Sequence, residues 1–298
     1  MNDVENSQSR LLKAMARHVV FLSCMDVKTK PDGIATDVRN FDPREFSVTT
    51  FVISVRRVWF LVTAGHVLCD VEKRLKSGRE ILKARLIDGF STKHTFPPIV
   101  FPFGDTPQWH VFSGGVDYAL LPLRPLYALQ LMAGGVVPLD EKAWTDIPDC
   151  PDEYYLLGFP DQATDVAVNS RANGGVVNVS TGTPLLPVLR ITDPPDALKL
   201  DAERFYAKVP VTNGPGDGGA IQLTDISGMS GGPVFAVVYT EQQATRYWVV
   251  AVQSGRLEES RVLAACPVTP LVNGILHCMD QHKDELEGYG VHDKEESI

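Results

Sequence analysis

Residues 226–233 read Ile-Ser-Gly-Met-Ser-Gly-Gly-Pro and lead directly into the apolar run VFAVVY. Glycines lie on both sides of Ser230, and they allow backbone conformations that a side chain would hinder. Pro233 prevents a helix from forming on the C-terminal side of the serine. The stretch therefore predicts a serine held in a tight turn just before a β-strand.

Two further segments place reactive residues beside apolar runs. In WFLVTAGHV, residues 59–67, a strand-like run enters a turn of small residues that presents His66. In VDYALLPL, residues 116–123, Asp117 opens a second apolar run. A serine becomes a good nucleophile when an imidazole takes its proton, and a carboxylate fixes the tautomer of that imidazole. The alternative acid is Asp105, in the loop FPFGDTP, although no apolar strand follows it.

The composition suits a folded protein with many turns. The chain has 298 residues, of which 44% are hydrophobic, so it can bury a substantial core and is not disordered. Its 24 glycines and 21 prolines favour an all-β fold over a helix bundle. Short β-rich runs lie on both sides of a connector that contains several prolines and glycines. This pattern predicts two packed β-barrels or one large sandwich.

We divide the chain into an N-terminal helix and loop (1–44), a first β-barrel (45–124), a connector (125–150), a second β-barrel (151–267) and a C-terminal helix and tail (268–298). The spacing of apolar residues predicts that the first helix covers residues 5–22. The Pro-rich stretch between residues 180 and 205 is predicted to be a surface excursion. Residues 288–298 are predicted to be a frayed tail.

Charge and cysteine content argue against several classes of function. The net charge of -9 gives no attraction to phosphate backbones or anionic lipid, so nucleic acid and membranes are not expected partners. No apolar run approaches the roughly 20 residues of a membrane span, and no signal-peptide pattern opens the chain, so we expect a cytoplasmic protein. The five cysteines include no CxxC pair, which excludes a zinc ribbon, and we expect them to be reduced. No cofactor and no metal are expected, since His94 and His110 form only a weak metal-binding pattern around Asp105.

The three segments, in this order, resemble the motifs of the trypsin-like (chymotrypsin-fold) serine peptidases. TAGH is similar to the family's strand–turn–histidine motif, DYALLPL to its aspartate-plus-strand motif and GMSGGPVF to its Gly-x-Ser-Gly-Gly-Pro motif. YLLGFP resembles the opening strand of the second barrel in bacterial members, and YWVVAVQSG the strand that flanks the substrate backbone. The likeness covers about residues 45–275. Because the paired cysteines of secreted members are absent, it is closer to the disulfide-free bacterial branch.

The resemblance implies an all-β fold of two antiparallel six-stranded β-barrels, with the active site in the cleft between them and helices outside. It implies that Ser230 attacks the scissile carbonyl, that His66 acts as base and then acid, and that Asp117 orients His66. The backbone N–H groups of Gly228 and Ser230 would hold the oxyanion. Digestive-type members have an aspartate at the position of Met229, and it pairs with a newly cut N-terminus. Methionine cannot make that pair, so this activation route is not expected.

The family position for the main specificity pocket falls at Thr224, with Asp225 beside it. An aspartate that faces the pocket would favour Lys or Arg in the substrate, whereas a threonine would give a mildly polar pocket. A shift of one residue exchanges the two, because neighbouring strand residues face opposite ways. Ser254, in VQSG, resembles the family serine near the catalytic aspartate.

The expected function is a serine endopeptidase with protein or peptide substrates. Such an enzyme inside a cell must be restrained, so we also expect gating by a regulatory partner or signal, in a stress or defence system. The 181–219 excursion and the N-terminal helix are the candidates for partner docking or a lid. The alternative is a binding or scaffold protein that keeps the fold without the activity.

The Ser230 turn also matches the Gly-x-Ser-x-Gly nucleophile elbow of α/β-hydrolases. That fold needs a helix directly after the serine, yet Pro233 and a β-rich run follow here. It also needs an aspartate and then a histidine farther along the chain. The histidines after Ser230 all lie in the predicted terminal helix or tail, so an esterase of this kind is not expected.

Overall fold

The computed structural model describes residues 10–28, 44–88, 98–160, 164–169, 176–181, 185–200, 202–210, 226–240 and 245–291. These residues form two β units, an antiparallel sheet followed along the chain by a closed barrel. A short hairpin, four α-helices and three short 3-10 helices accompany them among the described residues.

The first unit is a seven-stranded antiparallel sheet with the spatial order β5-β4-β1-β2-β3-β7-β6. Its strands are β1 (Val19–Lys28), β2 (Arg44–Val55), β3 (Val58–Thr63), β4 (Arg79–Asp88), β5 (Ile99–Val100), β6 (Trp109–Ser113) and β7 (Val116–Leu123). Strands β2 and β3 form a hairpin whose two turn residues, Arg56 and Arg57, both have positive φ angles. This backbone twist matches that of the flanking strands.

The second unit is a closed six-stranded barrel with the order β11-β12-β15-β14-β13-β8. Its strands are β8 (Glu153–Leu157), β11 (Leu185–Arg190), β12 (Phe205–Lys208), β13 (Pro233–Tyr239), β14 (Thr245–Leu257) and β15 (Val262–Pro267). Pairing of β8 with both β11 and β13 closes the ring. A separate hairpin of β9 (Thr164–Asn169) and β10 (Val176–Thr181) lies between β8 and β11 in the chain.

The predicted mostly-β fold is confirmed, and the second barrel has the expected six strands. The first unit differs from the prediction, because it has seven strands and its end strands β5 and β6 do not pair in the described part of the chain. One of the seven, β1, includes residues that were predicted to be helical.

The helix predicted over residues 5–22 is shorter at its C-terminal end. Residues 10–16 are helical (α1), residues 5–9 lie outside the described part, and β1 begins at Val19. Four consecutive residues, 19–22, are at most 1% exposed, because β1 lies between β2 and β4 and is covered on both faces. A fully buried strand is a continuous apolar run, and its spacing also satisfies a helical pattern.

Three longer helices complete the described structure, α2 (Gly65–Lys76), α3 (Pro125–Gly134) and α4 (Val268–Gln281). Helix α3 occupies part of the predicted connector. It begins at a proline, which suits the first helical turn, and its C-cap Gly135 has a left-handed backbone with φ of 99°. No described helix has the length and apolar character needed to cross a membrane.

Two segments predicted to be peripheral are part of the packed structure. The Pro-rich excursion contains β11, which pairs with β8 and β12 and buries Val188 inside the barrel. The described start of the tail packs on the β2–β3 hairpin: Gly290 bridges Val58, and the Val291 N–H donates to the Arg57 carbonyl at 3.0 Å. Small polar and proline residues mark turns well, but they do not exclude a strand that is covered by its neighbours.

The sheet and the barrel share one apolar core. It contains Phe21, Phe51 and Phe60 from the sheet, and Phe235 and Val252 from the barrel. Helix α4 packs against the same core through its buried apolar residues. This shared core holds the two units together.

His18 is a buried polar residue at the junction of α1 and β1, and it is 6% exposed. Its Nδ1 lies 2.7 Å from the Val137 carbonyl oxygen, which can only accept, so Nδ1 carries the proton. Its Nε2 then accepts from the Tyr247 hydroxyl at 2.9 Å. The pKa of His18 is lowered to about 4, chiefly because the ring is buried; the hydrogen bond to Val137 opposes this shift, and the nearby charge of Arg17 adds to it. The ring is therefore neutral at physiological pH.

We predict that His18 makes the protein sensitive to mild acid. The unfolded histidine titrates near 6.5 and the folded one near 4, so the unfolded chain binds an extra proton between these values. The free energy of unfolding should fall as pH drops through this window, by about 3 kcal/mol at pH 4. Urea unfolding of wild type and His18→Gln at pH 7 and pH 4 measures the difference. The control His282→Gln should keep the wild-type pH slope, and an unchanged slope in His18→Gln would contradict the prediction.

Candidate active site

His66 lies at the N-terminal end of helix α2, where the motif TAGH makes a compact entry. Ala64 is the extended N-cap residue, with φ of -76° and ψ of 143°. A Cβ atom at Gly65 would overlap the Val111 carbonyl oxygen and lie 2.9 Å from that of Tyr118. Glycine is therefore required for the helix to begin against β6 and β7. This close approach places His66 directly beside β7.

Asp117 holds His66 at two points. Its side chain in β7 is almost fully buried, and Oδ1 accepts from the His66 backbone N–H at 2.9 Å. Oδ2 lies 2.9 Å from the His66 Nδ1. The carboxylate also satisfies one of the free N–H groups at the start of α2, where the helix dipole favours negative charge. With Nδ1 turned toward the carboxylate, Nε2 is left for proton transfer with a substrate or nucleophile.

The alternative acid, Asp105, lies elsewhere. It is an exposed residue at the end of a single 3-10 turn, Phe103–Asp105, and it makes no hydrogen bond to His66. The geometry thus brings Asp117, and not Asp105, to the histidine.

The loop that carries Ser230 has a backbone that depends on glycine. Gly228 and Gly231 have φ angles of 85° and 91°, a region that residues with a Cβ atom rarely adopt. A Cβ atom at Gly232 would overlap the Leu157 carbonyl oxygen. The Gly231 N–H donates to the Gln253 carbonyl of β14 at 2.8 Å, which ties the loop to the barrel.

The same loop packs closely on the sheet. A Cβ atom at Gly231 would overlap Thr63 Oγ1 and would lie 2.5 Å from the Thr49 carbonyl oxygen. The Thr49 hydroxyl donates to the Gly228 carbonyl at 2.8 Å and accepts from the Phe159 N–H at 3.0 Å. Thr63 ends β3 three residues before His66. The contact therefore places the serine loop beside the strand that leads to the histidine.

Ser230 itself is half-buried and its hydroxyl makes no hydrogen bond within the described part of the chain. Ser230 Oγ and His66 Nε2 are thus not joined by a hydrogen bond in this structure. The backbone N–H groups of Gly228 and Ser230 also donate to no described protein acceptor. They have the free donors that an oxyanion hole needs.

Met229 is a core residue. It is fully buried, packs in the apolar cluster of the barrel, and would lie 3.2 Å from a Cβ atom at Gly158.

Of the three predicted pocket residues, the described part of the structure includes only Ser254. Thr224 and Asp225 lie outside the described residues. Ser254 lies in β14 and is 8% exposed, and its hydroxyl accepts from the Arg204 guanidinium. Among the residues described, it makes no hydrogen bond to Asp117.

The cysteines and the weak metal pattern add no further site to the cleft. All five cysteines are free. Cys266 is buried next to Asp117, and burial raises the pKa of its thiol. His94 lies outside the described residues, and His110 faces Glu72 across 3.8 Å. No group of three or more potential metal ligands occurs in the part of the chain that the structure describes.

Sequence reasoning missed two residues that organise this region, Thr49 and Arg204. Thr49 is 1% exposed and holds the serine loop, but threonine is common in strands and gives no signal in FSVTTFVISV. Arg204 lies in a polar stretch, where an arginine indicates a solvated surface. The sequence offered no signal for either one.

Comparison with known proteins gives structural matches alone. No protein-family model matches the chain, and no curated protein matches it. Solved structures do match, at low identity. They include Deg5, with 12% identity, a TM-score of 0.44 and coverage of 92% of this chain and 94% of that one.

Two others are named as proteases. The thermostable serine protease AL20 from an extremophilic microorganism has 13% identity, a TM-score of 0.40 and coverage of 85% and 91%. The protease Anisep from Arthrobacter nicotinovorans has 12% identity, a TM-score of 0.42 and coverage of 84% and 90%. The solved structures that this chain is similar to thus include proteins named as proteases.

We predict that Gly231→Ala lowers the stability of the protein by much more than the cost of placing an alanine in a left-handed backbone conformation. The new Cβ atom would strain the backbone and overlap Thr63 Oγ1, a buried atom that cannot move away. Gly288→Ala is the matched control, because its φ is 83° and nothing lies within 4 Å of its Cβ position. Thermal unfolding should show a loss of about 1 kcal/mol for the control, the cost of the left-handed backbone. The Gly231 variant should lose several times more, and equal losses would show that the contact with Thr63 is unimportant.

Proposed function

We propose that this protein is a serine endopeptidase in which Ser230 is the nucleophile, His66 the base and Asp117 the orienting acid. The observation that carries the proposal is the two-point attachment of His66 to the buried Asp117 carboxylate. A histidine held in this way has a fixed tautomer and presents Nε2. The close packing of the Ser230 loop on Thr63 supports the third member.

In the proposed reaction, Ser230 Oγ attacks the carbonyl carbon of a peptide bond while its proton passes to His66 Nε2. The oxyanion accepts hydrogen bonds from the N–H groups of Gly228 and Ser230. His66 then gives the proton to the leaving amine as the C–N bond breaks, which leaves an acyl group on Ser230. Water deacylates the enzyme by the same route in reverse, and Asp117 stabilises the imidazolium in both halves.

Among the described strands, none pairs with one edge of β14 beyond its contact with the serine loop, and such an edge suits an extended peptide. Strand β13 pairs with β14 only as far as Val252, and the next hydrogen bonds join Gln253 to the serine loop. Beyond this point β14 pairs with β15 alone among the described strands. A peptide that adds to the open edge gains main-chain hydrogen bonds independent of its sequence. This supports an endopeptidase over a hydrolase of small esters.

Control of the activity and its location are further parts of the proposal. The unengaged Ser230 hydroxyl is compatible with an enzyme that a partner or signal, in a stress or defence system, brings to the active state. Five free cysteines fit a reducing compartment such as the cytoplasm. The same unengaged hydroxyl is the one observation that favours the second candidate, a catalytically silent binding protein.

We expect a fluorophosphonate probe to label wild type at one residue, Ser230, and to leave Ser230→Ala unlabelled. Peptide-library profiling should then give cleavage sites that only the wild type produces. Ser260→Ala is the control, since its hydroxyl contacts only a carbonyl in the β14–β15 turn. Absence of labelling in folded wild type, in cell extract as well as in pure form, would favour the binding protein.

We also expect Asp117→Asn to lower the rate of peptide cleavage and of probe labelling by about 10⁴-fold, the effect of a wrong histidine tautomer in serine proteases. The asparagine amide would donate toward Nδ1, so the ring proton would move to Nε2 and block proton abstraction. Asp105→Asn is the matched control and should keep the wild-type rate. A comparable loss of rate in Asp105→Asn would contradict the proposal that Asp117, and not Asp105, is the orienting acid.

A further inference from the structure

Arg204 connects the two β units at the cleft. It precedes β12, and its Nη1 donates to the Gly115 carbonyl, in the turn between β6 and β7, at 2.9 Å. Its Nη2 donates to the hydroxyl of Ser254 in β14. The chain approaches closely here, because a Cβ atom at Gly115 would lie 2.5 Å from the Ala202 Cβ. One guanidinium thus touches the sheet and the barrel.

Both contacts lie within a few residues of the proposed catalytic groups. Gly115 precedes Asp117 by two residues in the same hairpin. Ser254 follows Gln253, whose carbonyl accepts the N–H of Gly231, the residue after Ser230. Arg204 is therefore connected through a few residues to Asp117 in the sheet and to Ser230 in the barrel.

Arg204 forms no ion pair with a described residue, so an ion pair does not account for its position. No carboxylate lies within ion-pair distance of it in the described part of the chain. Its Nε is buried and has no hydrogen-bond partner there. Arginine is suited to bridging because its planar group offers several donors in a fixed geometry.

We infer that Arg204 is a positioning residue that sets the separation between the His66–Asp117 pair and Ser230; this rests on the proposed function. His66 and Asp117 are fixed within the sheet, whereas Ser230 is carried by a loop tied to β14. The relative placement of the two units therefore determines whether Oγ reaches Nε2. A misplacement of about 1 Å can cost about 10²-fold in rate.

The test compares Arg204→Met with wild type, using a fluorophosphonate probe at several concentrations. The maximal labelling rate should fall about 10²-fold, while the probe concentration for half-maximal rate stays within about threefold, because positioning affects the reaction step and not probe binding. Arg190→Met is the matched control. Arg190 is an exposed arginine on β11 that contacts Tyr154 and stacks over Phe205, and its loss should leave labelling unchanged.

Two further variants separate positioning from simple folding. Arg204→Lys keeps the charge but cannot reach both acceptors in the same geometry, so it should remain nearly as slow as the methionine variant. Arg204→Gly should regain part of its rate when guanidinium ion is added at millimolar concentration, and methylammonium should not replace it. If these variants do not fold, Ser254→Ala removes one of the two contacts and should slow labelling in the same direction.

Three results would overturn the inference. Folded Arg204→Met with the wild-type maximal rate would show that the bridge is not needed. If Arg204→Met changes only the probe concentration for half-maximal labelling, Arg204 acts in substrate binding. The same holds if the variant changes only the cleavage of peptides with an acidic side chain. If methylammonium restored the labelling rate of Arg204→Gly as well as guanidinium does, Arg204 would act only through its positive charge. Failure of the proposed function looks different, because wild type itself would then not be labelled.

Discussion

The main chain at Gly231 lies against Thr63 and Thr49 with no space for a side chain, and the site depends on this contact. On one side of it is the strand that leads to His66, and on the other is the turn that carries Ser230. Close approach of two backbones needs glycine, and it also needs both backbones to be held from behind. The shared apolar core holds the two β units together, and the Thr49 hydroxyl holds the turn.

The two halves of the site differ in how they are built. The Asp117–His66 pair lies wholly within the sheet unit, where β7, β6 and the start of α2 meet. The serine turn belongs to the barrel unit and reaches the pair only across the interface. A site divided in this way has one variable, the placement of one unit on the other. In the proposed enzyme, contacts at a distance from the reacting atoms would therefore change the rate.

The sequence was most informative where a local motif also fixes local geometry. TAGH predicts a turn of small residues that presents His66, and the structure has no room for a Cβ atom at Gly65; the glycines beside Ser230 predict a tight turn, and Gly228 and Gly231 have positive φ angles. These are properties of short segments, and they could be identified without the fold. The Asp117–His66 contact followed from the order of the motifs and from the resemblance that they carry.

The rest depends on tertiary neighbours that no short segment encodes. Strand β1 reads as a helix until β2 and β4 are known to cover both of its faces. Strand β11 reads as a loop until β8 and β12 pair with it. Arg204 gains its meaning from Gly115 and Ser254, which are distant in sequence.

Strand β14 is the element through which the barrel is aligned with the sheet. Near its start, Tyr247 donates to His18 at the beginning of the sheet unit, and His18 also contacts the connector at Val137. Near its end, Ser254 accepts from Arg204, which reaches the β6–β7 turn. Tyr247 and Ser254 are seven positions apart, which corresponds to about 23 Å of extended chain. Two polar contacts so far apart resist rotation of the barrel on the sheet, because hydrogen bonds are directional. The apolar core resists such a rotation less well, because apolar packing is not directional. Since Gln253 of the same strand holds the serine turn, such a rotation would move Ser230 relative to His66.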